Sequence, residues 1–356
     1  MSEPVPVRPD LVELIGYHSA QVAADVRLNT NESPYPPPEG WAEAFAAEVA
    51  TVDPHRYPDR HARVLRAGLA ELHGVGEDEI FCANGSNEVL QCLLLAYGGP
   101  GRRAVVFEPS YALHRHISNI TGTPVVTGSR DEQFAIDPEE GAALVARSGA
   151  TITFLCSPNN PTGNAERAAV VERLLAVAPG LLVLDEAYGQ FARSSALALR
   201  AGPRADRLVV VRTFSKTWSL AAARLGYLVA QPAVVEACEL VTLPYHLSAY
   251  TQAAGVAALR FRAEMEARVA RIIEERGRLQ AALAELPVQS WPSDANFVLF
   301  RPTGRDARAV WSGLVERSVL IRDCSSWDGL AGCLRVTVGT EAENDRFLEA
   351  LEACLT

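Results

Sequence analysis

Lys216 follows a nonpolar run over residues 208–211, and polar side chains surround it in the sequence. A lysine amine in a nonpolar setting can attack an aldehyde and form a Schiff base. The hydroxyls of Thr213 and Ser215 and the guanidinium of Arg224 can bind a phosphate beside that amine. The spacing therefore predicts a site for a molecule that carries both an aldehyde and a phosphate, and pyridoxal phosphate (PLP) carries both.

A second candidate phosphate contact is the segment 84–88, which lies between a predicted strand and a predicted helix. Gly85 permits a close approach of the backbone to a ligand. Ser86 is expected to cap the helix and to leave N–H groups free for an anion. Most strand-to-helix turns of this composition bind no ligand. The segment is therefore a candidate phosphate contact because of the other segments and not because of its own pattern.

Three further segments place polar groups at strand ends or inside a strand. The loop 157–163 contains two prolines and a glycine and is expected to direct Asn160 toward the sheet edge, although a simple rigid turn explains it equally well. Asp185 ends a nonpolar strand, where a carboxylate needs a cation such as a protonated pyridine, unless it caps a helix or pairs with an arginine. Arg335 lies inside a nonpolar strand and must bind an acidic group or extend to solvent. Together these groups match the needs of PLP and an anionic substrate.

The composition limits the classes of function. The 356 residues are 48% hydrophobic and carry a net charge of -10, without a basic cluster, which argues against nucleic acid or an anionic membrane as partner. We expect neither a signal peptide nor a membrane-spanning segment. Seven cysteines at irregular spacing indicate free thiols in a reducing cytoplasm and no metal site.

Short nonpolar runs alternate with helical patterns, which predicts an α/β fold with a doubly wound, mostly parallel, seven-stranded sheet. Its strands are expected over residues 80–83, 104–107, 124–127, 151–156, 181–184, 208–211 and 225–230. A long helix over 249–286 would lead to a smaller α+β domain with strands over 296–300, 319–321 and 334–338 and a final helix over 341–354. We expect three units: an N-terminal arm (1–40) that packs on the small domain or on a partner subunit, a large PLP-binding domain (41–250) and a small domain (251–356).

The chain resembles the fold-type I PLP-dependent aminotransferases, and among them the histidinol-phosphate aminotransferases. The resemblance covers nearly the whole chain. The matching segments are residues 28–35, 56–58, 84–88, 157–163, 185–188, 215–216, 224–227, 321–323 and 334–339.

The resemblance implies that Lys216, Asp185 and Tyr188 are the catalytic residues. Lys216 would form the Schiff base and move the proton between substrate and cofactor, and Asp185 would keep the pyridine nitrogen protonated. Asn160 and Tyr188 would bond the ring oxygen, and Tyr111 would stack on the ring. The other cofactor contacts would be Gly85, Ser86, Asn87, Thr213, Ser215 and Arg224, with Tyr57 reaching in from the other subunit of a homodimer.

The resemblance also places four residues near the substrate: Tyr17, Asn29, Arg322 and Arg335. The arginines suit its phosphate or the carboxylate of glutamate. Four histidines could line the site or only fill space: His18, His114, His116 and His246.

The implied activity is transamination of L-histidinol phosphate with 2-oxoglutarate, which gives imidazole-acetol phosphate and glutamate. An aromatic amino acid aminotransferase, or a PLP decarboxylase of a phosphorylated amino acid, would use the same cofactor site. A non-catalytic regulator is disfavoured because the chain has no basic extension and keeps Lys216. A nicotinamide enzyme is disfavoured because no glycine fingerprint follows the first strand.

Overall fold

The computed structural model describes residues 5–12, 14 and 22–356. Within these residues the strands are β1 (Val26–Leu28), β2 (Ile80–Ala83), β3 (Ala104–Glu108), β4 (Val125–Ser129), β5 (Ile152–Cys156), β6 (Leu181–Asp185), β7 (Leu208–Thr213), β8 (Gly226–Val229), β9 (Val288–Ser290), β10 (Phe297–Pro302), β11 (Val319–Asp323) and β12 (Leu334–Thr337). The α-helices are α1 (Trp41–Val49), α2 (Arg63–His73), α3 (Ser86–Tyr97), α4 (Ala112–Ile120), α5 (Pro138–Ser148), α6 (Ala168–Val177), α7 (Pro232–Val241), α8 (Ala249–Leu259), α9 (Arg262–Ala284), α10 (Ala307–Glu316) and α11 (Glu341–Leu355).

The larger sheet has seven strands in the order β2-β8-β7-β6-β5-β3-β4. Only β8 runs antiparallel to its neighbours, so the sheet is mostly parallel and the predicted fold class is confirmed. Both faces are covered, because successive residues of one strand enter different cores: Val209 and Val211 pack on one side, Leu208 and Val210 on the other. Burial on both faces explains why these strands read as continuous nonpolar runs.

The smaller sheet has five strands in the order β1-β11-β12-β10-β9. Its two edge strands, β1 and β9, were not predicted. Each has only three residues, which is too short for an alternating pattern to stand out. β1 comes from the N-terminal part of the chain and pairs in parallel with β11. The residues that follow β1 in the chain therefore begin at the edge of the smaller sheet.

The helical pattern over residues 249–286 forms two helices and not the single helix that was predicted. α8 ends at Leu259, and Phe261 then precedes α9 with a φ of -106°, outside the helical range. The nonpolar residues continue across this break, so periodicity alone does not reveal it. The domain limits near residues 40 and 250 stay a prediction.

In the described part of the chain, we find no helix that combines the length and the nonpolar character needed to cross a membrane. All seven cysteines are free thiols, and only Cys354 is more than slightly exposed.

Candidate active site

A cavity of about 360 Å³ opens where the carboxyl ends of β5, β6 and β7 face the smaller sheet. This edge is where open α/β sheets bind ligands. The predicted site residues that line it are Ser86, Asn87, Tyr111, Asn160, Asp185, Tyr188, Thr213, Ser215, Lys216, Arg224 and Arg335. Residues from five separate segments of the sequence are thus brought together.

Lys216 is the only lysine of the chain, and its amine is buried in this cavity. Its Nζ donates a hydrogen bond of 2.9 Å to the backbone oxygen of Thr30. Burial, reinforced by the positive charges of Arg335 and Arg224, lowers the pKa of Lys216 to about 8. A substantial fraction of the amine is therefore neutral, and so nucleophilic, near neutral pH.

Asp185 is the last residue of β6 and is almost completely buried. One carboxylate oxygen accepts from the backbone N–H of Ala187, and the other lies 3.0 Å from Nε2 of His114. Because a carboxylate can only accept, that ring nitrogen must carry the hydrogen. His114 is itself stacked on Phe154, at 4.8 Å between ring centroids. His114 is thus joined to the site through Asp185.

The hydroxyls and guanidinium near Lys216 form a connected group. Thr213 donates to Ser215 at 3.0 Å, and Arg224 donates to the same Ser215 oxygen at 3.4 Å. Gly85 adopts a left-handed φ of 79°, and a Cβ there would lie 2.6 Å from the Arg224 guanidinium. Position 85 therefore requires glycine for two reasons: the positive φ, and the lack of space for a side chain beside Arg224.

The prediction that Ser86 caps α3 is wrong. Gly85 is the N-cap, no side chain bonds the helix start, and Ser86 is the first helical residue. Because Gly85 has a positive φ and is itself the N-cap, α3 begins one residue earlier than predicted. Ser86 still lines the cavity, at the end of the helix where the N–H groups point outward.

The loop after β5 is held from both sides. The Asn159 side chain donates to the Pro109 carbonyl at 3.0 Å and accepts from Ser110 at 2.9 Å. Its neighbour Asn160 faces the cavity and accepts a hydrogen bond from Arg335. The loop is therefore rigid where Asn160 meets the smaller sheet.

Arg335 and Arg322 are directly opposite each other on the antiparallel strands β12 and β11. Like charges in this position repel, and an anion bound between or beside them relieves the repulsion. Arg335 lines the cavity, donates to the Asn29 carbonyl at 3.1 Å and stacks over Phe297. Arg322 does not line it, and its guanidinium lies over the ring of Trp327.

Three other candidate residues do not line the cavity. Tyr57 is 79% exposed and stacks on Tyr245. His246 bonds the Cys82 carbonyl beneath another surface, and His116 does not line the cavity either. Tyr17 and His18 lie outside the described residues.

The sequence analysis gave no role to the consecutive cavity residues Thr30, Asn31 and Glu32. They belong to the segment 28–35, which was noted for its resemblance, but only Asn29 was given a role. Asn31 is 1% exposed and donates to the Tyr188 hydroxyl at 3.0 Å. A buried asparagine in the left-handed conformation was the missed signal, and it is visible only in the fold.

The arrangement brings an amine of lowered pKa, a buried carboxylate and an anion-binding group into one cavity. Comparison with known proteins agrees with it. The family described as "Aminotransferase class I and II" matches residues 24–351.

Two curated relatives cover most of the chain, and both are called histidinol-phosphate aminotransferase. The protein of Frankia casuarinae is 46% identical over 99% of this chain and 91% of its own length. That of Mycobacterium avium is 45% identical over 97% of this chain and 88% of its own length. Among solved structures, the histidinol-phosphate aminotransferase of Sinorhizobium meliloti, in complex with pyridoxal-5'-phosphate, is similar, with a TM-score of 0.86. It is 26% identical, with 99% of this chain and 98% of that chain covered.

Proposed function

Because this chain belongs to the class I and II aminotransferase family, and within it to the histidinol-phosphate aminotransferases, we propose that it transfers the amino group of L-histidinol phosphate to 2-oxoglutarate. The products are imidazole-acetol phosphate and glutamate, in a step of histidine biosynthesis. The observation that carries the proposal is the buried Lys216 amine in one cavity with Asp185 and the Arg224 group.

PLP fits the residues of this cavity. Its phosphate matches the Arg224 guanidinium, the hydroxyls of Thr213 and Ser215, and the start of α3 at Gly85, Ser86 and Asn87. The left-handed Gly85 leaves room there that a side chain would fill. An anion bound here would offset the positive charge of Arg224, whose acceptors among the described residues are the Ser215 hydroxyl and the Ala221 carbonyl.

The other cofactor contacts follow from the chemistry of each side chain. Asp185 would accept from the ring nitrogen, Asn160 and Tyr188 would bond the ring oxygen, and Tyr111, oriented by its 3.1 Å bond to Asn87, would stack on the ring. When bound, PLP supplies an electron-withdrawing ring that stabilises negative charge on the carbon that bears the amino group.

The hydrogen bonds of Asp185 leave it able to accept from a cofactor. His114 and the Ala187 N–H hold its two oxygens, and each oxygen can still accept a further hydrogen bond. In a buried site such a carboxylate favours a protonated partner. We assign His114 to orienting Asp185 and not to substrate binding.

Lys216 would bind the cofactor and then act on the substrate. Its lowered pKa lets Nζ take a proton from the substrate Cα near neutral pH and give it back. The Thr30 carbonyl, which accepts from Nζ, holds the amine in the cavity when it is not covalently bound.

Arg335 and Arg322 would bind the phosphate of the amino donor and the carboxylates of 2-oxoglutarate in turn. Their opposed positions on β12 and β11 support a shared anion site, and Arg335 is the one that faces the cavity. Asn29 and Tyr17 are proposed to complete the substrate contacts.

We also propose that the enzyme is a homodimer in which Tyr57 reaches the phosphate of the partner's cofactor. Tyr57 and Tyr245 form an exposed stacked pair, and Leu243 beside them is 78% exposed. Exposed nonpolar groups of this kind mark interaction surfaces. The seven free thiols support a location in the reducing cytoplasm.

The test is a panel of amino donors with 2-oxoglutarate as acceptor. We expect the highest kcat/KM for L-histidinol phosphate, above phenylalanine and tyrosine, because only the first offers a phosphate to the arginines. Higher kcat/KM for an aromatic amino acid would support the paralogous activity, and release of carbon dioxide without glutamate formation would support a decarboxylase. Either outcome contradicts the proposed substrate.

A further inference from the structure

We propose that Asn31 is a positioning residue that sets the direction of the Tyr188 hydrogen bond, so that the phenol donates its hydrogen into the cavity. The inference deepens the proposed function and rests on it, because the acceptor in the cavity would be the ring oxygen of PLP. Asn31 acts through Tyr188, because its side chain donates to the Tyr188 hydroxyl.

Asn31 is held by Thr337 of β12 through two hydrogen bonds of 3.0 Å. The backbone N–H of Asn31 donates to the Thr337 hydroxyl oxygen, and that hydroxyl donates to the Asn31 side-chain oxygen. The Asn31 carbonyl also accepts from the side chain of Asn296, at 3.2 Å. Both side chains that hold Asn31 are buried, so water does not compete for these bonds.

These bonds decide which end of the amide faces Tyr188. Since the Thr337 oxygen already receives an N–H from the backbone, its own hydrogen needs an acceptor, which is the Asn31 side-chain oxygen. If the amide were reversed, the Thr337 oxygen would receive two N–H groups, and its hydrogen would lose the acceptor that the described residues provide. The amide nitrogen therefore faces Tyr188 and donates to it, at 3.0 Å.

The phenol oxygen of Tyr188 therefore accepts from Asn31 and cannot give its hydrogen back to the same group. That hydrogen must point elsewhere, and Tyr188 lines the cavity. Burial raises the pKa of Tyr188 well above its ordinary value, so the phenol keeps its hydrogen. The charged and titratable groups around it are Arg335 from β12, Cys156 and Asp185 at the ends of β5 and β6, and Lys216 over its ring.

The backbone of Asn31 supports the same conclusion. Its φ of 54° is left-handed, a conformation that asparagine, aspartate and glycine tolerate and other residues rarely adopt. Two of those alternatives allow clean tests. Asn31→Gly removes the donor without backbone strain or charge, and Asn31→Asp replaces the donor by an acceptor of the same shape.

The readout is spectroscopic and does not use turnover. The protein loaded with PLP is titrated with acid and base, and the pH at which its visible absorption band changes is recorded. A hydrogen bond from Tyr188 stabilises the negative charge on the ring oxygen. The proton whose loss changes the visible band is stabilised by that same charge, so the two compete. Weakening that bond should therefore move the transition to higher pH, by about one pH unit for a bond of ordinary strength.

We expect Asn31→Asp to give the largest upward shift, since it draws the Tyr188 hydrogen away from the cavity. Asn31→Gly should give a smaller shift, and Thr337→Val, which frees the amide to turn, the smallest. In a Tyr188→Phe background, the effect of Asn31→Asp should largely vanish. A purely electrostatic effect of the new carboxylate on Lys216 would persist in that background.

The inference is overturned if a visible band is present but Asn31→Gly and Thr337→Val leave its transition unchanged. It is equally overturned if the Asn31→Asp shift is the same with and without the phenol. Failure of the proposed function looks different: absent PLP binding would leave the unmodified protein without such a band, and a wrong substrate would appear in the donor panel and leave the band unchanged. Thr337→Val keeps the test usable if the Asn31 variants fold poorly.

Discussion

The two sheets contribute to the cavity in different ways. The seven-stranded sheet provides groups that lie directly beside strand ends, such as Asp185 at the end of β6 and Thr213 at the end of β7. The five-stranded sheet provides groups that come together only through pairing of distant segments, such as Asn31 and Thr337. The cavity groups of the larger sheet are thus set by local sequence, whereas those of the smaller sheet depend on long-range register.

The largest expected effect is on the side of the seven-stranded sheet. Lys216→Ala should lower transamination by about four orders of magnitude, because both the nucleophile and the proton carrier are lost. Activity is measured by glutamate formation. Because the chain has no other lysine, borohydride treatment of the loaded protein should fix PLP at this residue alone, as read by peptide mass. Substantial turnover by the alanine variant would refute the role of the lysine.

On the side of the five-stranded sheet, Arg335→Ala should raise KM for 2-oxoglutarate by about a hundredfold, with a smaller change in kcat. The lost interaction is a pair of charged hydrogen bonds that bind the ground state and the transition state alike. Arg322→Ala should have a weaker effect, since Arg322 does not line the cavity.

Arg335→Lys and Arg317→Ala serve as controls for this prediction. The first keeps the charge but loses the planar fork, and should lie between the parent and Arg335→Ala. The second removes an exposed arginine that only bonds the carbonyl of its own helix, and should leave KM unchanged. A decrease in kcat without a change in KM would contradict the prediction, because Arg335 would then contribute to the chemical step and not to substrate binding.

The pH dependence sharpens the comparison, because Arg335 also lowers the pKa of Lys216. Only the neutral amine attacks the aldehyde, so PLP uptake by the cofactor-free protein should rise about tenfold per pH unit up to pH about 8 and then level off. Stopped-flow absorbance measures the rate. Free Nα-acetyl-lysine is the control, and its rate should keep rising toward its own, higher pKa. If the rate for the protein levelled off only at the pH at which free Nα-acetyl-lysine does, the lowered pKa of Lys216 would be contradicted.

The smallest expected effect concerns Tyr57, which belongs to neither side of the cavity in one chain. Tyr57→Phe should weaken PLP binding by about three- to tenfold, the value of one hydrogen bond, if the hydroxyl reaches the partner's phosphate. Equilibrium dialysis measures the affinity, and sedimentation the oligomeric state. Tyr97→Phe, on α3, is the control. An active monomer would contradict the proposal that Tyr57 binds the cofactor phosphate of a partner subunit.

The same division explains what could be predicted from the sequence. Strand runs such as 208–211 and the residues beside them are local, and the predicted groups Lys216, Asp185 and Arg224 all line the cavity. Asn31 was missed because its bonds to Tyr188 and Thr337 span most of the chain. The partner of Asp185 was missed because His114 lies on α4, which follows β3, and contacts Asp185 only once β3 and β6 share a sheet.

The place of β1 has a consequence for how the protein is made. Asp25, just before this strand, bonds Ser318, which is 293 residues further along the chain. A ribosome adds about 5–20 residues per second, so the strand waits roughly 15–60 s for its partner to emerge. The strands of the larger sheet are all synthesised well before that point. The nascent chain therefore acquires the strands of its cofactor-binding sheet first, and the Tyr188 hydroxyl receives its orientation only after Thr337 has been synthesised.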